Sequence, residues 1–159
     1  MTHHRTLSVS ARGERELVMI RDFDASPAQV FEAYTDPALV RRWLVGLDGW
    51  TMTTCEIDLR VGGAYRYEWR HTGGDAMAMG GTFRVVERPT RVVFTERFEP
   101  AWYEGEAVNT ISFEAVGTRT RVTQVTEYTR SEDRDNAMHS GADGVEHGMK
   151  RLDQIFAGA

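Results

Sequence analysis

A single cysteine, Cys55, stands in the 159 residues, so neither an intrachain disulfide nor an all-cysteine metal site is open to this chain. No apolar run approaches the roughly 20 residues of a membrane helix, and the opening Met-Thr-His-His-Arg has no apolar signal core. The expected setting is therefore cytoplasmic, with no membrane span. Positive charge is also in short supply, since 19 Lys and Arg face 24 Asp and Glu, a formal net charge of −5 at pH 7. Nucleic-acid binding is not expected, because it needs a cationic face that displaces counterions from phosphates. Internal repeats and low-complexity segments are missing too. What remains is 41% hydrophobic and 10% aromatic, a composition that predicts one packed core at this length.

Residues 1–13 are polar and without sustained period, and are expected to form a flexible leader before a single domain over 14–159. Glu16 to Phe23 is rich in β-branched and large apolar residues and predicts a strand. Ser26-Pro27 and Asp36-Pro37 then pair a capping side chain with a proline at the first helical position, so two short helices should follow. From Trp50 to Tyr128 the pattern is one of strands broken by turn signals such as Gly62-Gly63, Gly73-Gly74 and Gly117. Tyr65, Tyr67 and Trp69 alternate with Arg66, Glu68 and Arg70, the period of a sheet with one apolar face. After Thr129 the period becomes helical. Met138, Ala142, Val145, Met149, Leu152 and Phe156 form one stripe and predict a single long helix from Ser131 to Ala157.

This order implies an α+β fold in which the last helix covers the concave side of a curved antiparallel sheet. Phe23-Asp24-Ala25-Ser26-Pro27, Tyr34-Thr35-Asp36-Pro37 with Arg42-Trp43, Asp58-Leu59-Arg60-Val61-Gly62-Gly63 and Phe94-Thr95-Glu96-Arg97-Phe98 carry a resemblance. Over roughly Leu17 to Phe156 the chain resembles the START-like helix-grip (SRPBCC) superfamily. Within it, the chain is similar to the family of the C-terminal domain of the heat-shock protein 90 ATPase activator. The resemblance implies a cavity between sheet and last helix. The superfamily includes lipid carriers, cyclases and co-chaperone domains, so the fold alone does not select a function.

The candidate ligand contacts are Trp43, Tyr65, Tyr67, Trp69, Phe83, Phe94, Glu96, Met138, Gly141, Val145, Gly148 and Met149. Glu96 shares strand parity with Val92, Phe94 and Phe98. The residues favour an arginine partner for it, Arg66 or Arg97, or an exposed place at the strand end. The alternative is a buried carboxyl with a raised pKa, able to act as an acid, a base or a ligand anchor. Gly141, Gly144 and Gly148 each cost about 1 kcal/mol relative to alanine inside a helix. They either leave room for a ligand or let the helix pack closely on Tyr or Trp side chains, and a kink is a third option.

His139, Asp143 and His147 lie along one strip of the same helix. They read as a polar flank in which Asp143 pairs with His147, ahead of a pocket role or a divalent metal. Cys55 is expected to be a buried inert thiol, His71 to sit in a hairpin turn, and Gly62-Gly63 to shape a turn. No cofactor and no metal are expected. The leading functional reading is a non-enzymatic carrier or sensor for a small apolar molecule. A cyclase-like enzyme on a hydrophobic substrate and a co-chaperone-like interaction module are the alternatives, with a chaperone partner and a homodimer left open.

Overall fold

In the computed structural model, which describes residues 6–140 and 142–158, both expected proline-and-cap pairs are formed. The Ser26 hydroxyl accepts from the Gln29 backbone N–H at 3.2 Å, and the Gln29 side chain accepts from the Ser26 N–H at 3.0 Å. This reciprocal cap starts helix α1 (Pro27–Thr35). Asp36 then accepts from the Ala38 N–H at 2.9 Å and starts α2 (Pro37–Trp43). Strand β1 (Ser8–Arg12) and β2 (Glu16–Phe23) precede the helices. After them run β3 (Trp50–Ile57), β4 (Ala64–His71), β5 (Ala76–Glu87), β6 (Arg91–Glu99), β7 (Ala107–Val116) and β8 (Arg119–Glu127). The described residues form one antiparallel eight-stranded sheet of order β1-β2-β8-β7-β6-β5-β4-β3. The Gly62-Gly63 turn between β3 and β4 is as expected. Gly62 has φ +85°, and a Cβ on Gly63 would collide with the Asp58 carbonyl oxygen.

Helices α3 (Ser131–Ser140) and α4 (Ala142–Phe156) close the chain. Met149 and Leu152 of α4 are buried in the largest core cluster with Phe23, Val92, Phe113 and Val122. Val145 and Phe156 pack against the same cluster, and Met138 packs beside Leu17, Met19 and Tyr103. The stripe read from the sequence thus faces the sheet. The side chain of Ala142 and the whole of Gly141 lie outside the described residues.

One expectation is corrected. Residues 8–12 are an edge strand, where the sequence suggested a loose leader. Their pairing rests on backbone register, Ser8 opposite Ile20 through Arg12 opposite Glu16, and on the Arg12–Glu16 ion pair at 2.9 Å. Two apolar residues in the strand, Val9 and Ala11, were too few to show a sustained period. The expected C-terminal helix is described as α3 and α4, on either side of residue 141, which lies outside the described residues. Asp133, in the first turn of α3, is buried. It accepts from the Arg130 guanidinium at 2.9 and 3.0 Å and from the Glu104 N–H at 3.1 Å, pinning the β6–β7 loop to α3.

Candidate ligand-binding cavity

A cavity of about 580 Å³ lies between the sheet and the α3–α4 pair. Leu17 and Met19 of β2 form one side, and Trp69, Met77 and Met79 of β4 and β5 form the other. Trp43 and Leu44 close it where α2 ends, while Gly144, Val145, Gly148 and Met149 line it from α4. Leu47 and Trp102, 50% and 44% exposed, belong to the lining and to the surface, and so mark its mouth. All four tryptophans border the space. Two are fixed through their ring N–H groups. Trp43 Nε1 donates to the Ala33 carbonyl at 2.8 Å, and Trp69 Nε1 donates to the Leu44 carbonyl at 2.7 Å. With these donors satisfied, apolar ring surface is left for the cavity.

The polar end is built by three strands. Glu96 on β6 is only 7% exposed and borders the space. Asn109 Nδ2 on β7 donates to Glu96 Oε1 at 2.9 Å, and Asn109 Oδ1 accepts from Thr126 at 2.6 Å and Gln124 at 3.1 Å, both on β8. Tyr103 Oη stands 2.6 Å from Glu96 Oε2 and 2.9 Å from the Glu96 main-chain oxygen. A phenol has one proton for these two contacts. Both are fully satisfied when Glu96 Oε2 carries a proton and donates it to Tyr103, which donates its own to the main-chain oxygen. Electrostatics agree, since burial pushes the Glu96 carboxyl above its ordinary range, against the opposing pull of the Tyr103 and Asn109 hydrogen bonds. The same burial holds the Tyr103 hydroxyl far above its usual range.

The structure overturns the favoured arginine partner for Glu96. Arg66 pairs with Glu68 and Glu99 at 3.0 and 2.8 Å, and Arg97 faces Glu106 at 3.8 Å. The reason is parity: both arginines point to the outer face, away from Glu96. Of the other candidates, Trp43, Trp69, Val145, Gly148 and Met149 border the cavity. Tyr65, Tyr67, Phe83 and Phe94 do not; they pack together in a core cluster with Val40 and Cys55 that continues to Trp69 at the cavity wall. Met138 also lies outside the lining, and Gly141 lies outside the described residues.

The glycines divide. A Cβ on Gly148 would stand 3.0 Å from the Trp43 carbonyl oxygen, which is close packing, whereas one on Gly144 meets nothing within 4 Å. His147 faces Asp48 at 3.7 Å, where pairing with Asp143 was expected. Among the described residues no three His, Cys, Asp or Glu side chains are grouped to hold a metal. Cys55 is buried and its thiol is pushed up by that burial, which suits an inert group.

Sequence reading missed Asn109, Tyr103, Gln124 and Thr126. Asn109 was detectable, for it shares parity with Ala107, Ile111 and Phe113 on an inward face. Tyr103 comes from a loop and carried no periodic signal. A second cleft, of about 290 Å³, lies by Arg21, Asp24, Arg119 and Asp153. Its charges are already paired, Arg21 with Asp153 at 2.6 Å and Arg119 with Asp24 at 2.9 Å, which suits a structural role.

Comparison with known proteins adds the family. The family model described as activator of Hsp90 ATPase homolog 1-like protein matches residues 24–157. The chain belongs to this family. A crystal structure of a Rhodobacter sphaeroides protein is 28% identical, with a TM-score of 0.90 over 97% of this chain and 99% of that one. A Chromobacterium violaceum protein is 25% identical, with a TM-score of 0.77 over 91% and 98%. An Aeromonas hydrophila protein described as AHSA1-like, 19% identical with a TM-score of 0.71 over 87% and 93%, shares the fold. No curated protein matches the chain in sequence. Family and fold together bear out the resemblance read from the motifs, and the fold is that of the SRPBCC helix-grip superfamily. No helix among the described residues is long and apolar enough to cross a membrane.

Proposed function

We propose that this member of the family binds a small apolar ligand between α4 and the sheet, as a carrier or sensor without catalysis. The observation that carries this reading is the 580 Å³ space, walled by tryptophan and methionine and ending in one hydrogen-bonded polar cluster. Such a volume and such a lining are usual for sites that bury most of a small ligand. A co-chaperone-like module, the partner class suggested by the family description, would work equally well with that space filled. The cyclase-like alternative draws support from Glu96, a buried carboxyl that burial keeps protonated to higher pH and that borders the cavity. Its two oxygens are nonetheless engaged by Tyr103 and Asn109, which suits an anchor better than a mobile acid.

The test is titration with N-phenyl-1-naphthylamine, a neutral apolar dye. Saturable uptake at one dye per chain, with energy transfer from the tryptophans that line the space, is the expected result. Dye fluorescence that rises without saturation, or not at all, contradicts ligand binding and moves the interaction module ahead.

A further inference from the structure

The chemical class of the ligand follows from the charges around the cavity. Among the described residues, the side chains that border it include two carboxyls, Glu96 deep inside and Asp143 nearer the surface, and no Lys, Arg or His. The partners of Glu96 are neutral, Tyr103 and Asn109. Trp43, Trp50, Trp69, Trp102 and Tyr128 also line the cavity, with Trp102 and Tyr128 in ring contact with Tyr103. Aromatic faces attract cations through their quadrupole, more strongly where water is displaced. An anionic ligand would meet two carboxyls with no base among the described residues of the lining to offset them. A neutral one would gain from the walls but make no use of Glu96 as a charge.

Building on the ligand-binding reading, we propose that the cavity selects an apolar organic amine, held as its ammonium against Glu96 with its carbon skeleton among the tryptophans. The protons balance in either form of the ligand. An amine entering as the free base takes the proton of Glu96 Oε2 onto its nitrogen. An amine entering as ammonium keeps its proton, and that of Oε2 leaves to solvent. Both routes end in an ammonium–carboxylate pair. Tyr103 and Asn109 are placed to donate to the resulting carboxylate, and hydrogen bonds to an ionised acceptor are stronger than those to a neutral one.

Three ligands of one chain length separate the outcomes: octylamine, octan-1-ol and octanoate, which near neutral pH present a cation, a neutral group and an anion. Calorimetric titration of the full chain should give octylammonium about 10-fold tighter than octanol, with octanoate weakest. Glu96→Gln should bring octylammonium down to the octanol level and leave octanol unchanged. The comparison within the unaltered protein stands even if that variant fails to fold. Equal affinities for octylammonium and octanol, or a preference for octanoate, would overturn the amine proposal while leaving the ligand-binding reading intact, provided the neutral dye binds. If neither the dye nor any of the three binds, that reading falls with it.

Discussion

Strand β4 places Tyr65, Tyr67 and Trp69 on one face, yet the two ends of this row meet different surroundings. Tyr65 lies against Tyr67, Phe83 and Phe94 at ring distances of 5.2, 5.6 and 5.4 Å, and its hydroxyl donates to the Thr95 carbonyl at 2.6 Å. Trp69, four residues on, touches Tyr67 at 5.9 Å in the same core cluster and also borders the cavity with Met77 and Met79. The aromatic content is alike. What differs is the surroundings, which at the filled end are Phe83 and Phe94 on β5 and β6 of the same sheet. At the open end they include a helix whose Gly144 projects nothing. A sheet with one apolar face can therefore be core over half its length and a cavity wall over the rest.

Deleting a side chain from the filled end should have the largest effect. Phe83→Ala should lower stability by about 3–5 kcal/mol, measured by urea unfolding, whereas Leu47→Ala at the mouth should stay within about 0.5 kcal/mol. Equal losses would mean that the two ends are not different. The helix glycines offer a second, smaller contrast. Gly148→Leu forces its side chain toward the Trp43 carbonyl and should cost about 1–3 kcal/mol through overpacking. Gly144→Ala meets open space and should stabilise α4 by up to about 1 kcal/mol, because alanine is the better helix former.

The smallest effect concerns Glu96. Its pKa in the folded protein lies above that in the unfolded chain, so the folded state holds more protons between the two values. The resulting stability is complete below the unfolded pKa and is lost as pH rises through the folded one. Glu96→Gln keeps a donor toward Tyr103 and an acceptor toward Asn109. It should fold normally and show a flatter stability profile on the alkaline side of pH 4.5. A wild-type profile that is already flat there would show that Glu96 is not held protonated.

Much of this was legible in the sequence because period reports facing. The spacing of Met149 and Leu152 placed α4 on the sheet, and the parity of Glu96 with Val92 and Phe94 turned it inward. Cap residues Ser26 and Asp36 marked their helices because the capping bonds are local. What stands across from a face is not local. Nothing near Tyr65 or Trp69 in sequence distinguishes the filled end from the open one, and the two partners of Glu96 come from a loop and from the neighbouring strand. The choice between Gly148 as contact and Gly144 as open space rests on the position of Trp43, 105 residues earlier than Gly148. The edge strand β1 escaped for a related reason, since its order comes from backbone pairing with β2.

The central claim is that the open end is a binding cavity, and Gly144→Leu tests it most directly, since it adds a side chain to that space from a position with no neighbour within 4 Å. Dye titration of this variant, alongside urea unfolding to establish that it folds, should show N-phenyl-1-naphthylamine uptake weakened at least about 10-fold with stability near that of the unaltered protein. A folded Gly144→Leu variant that takes up the dye with undiminished affinity would contradict the account.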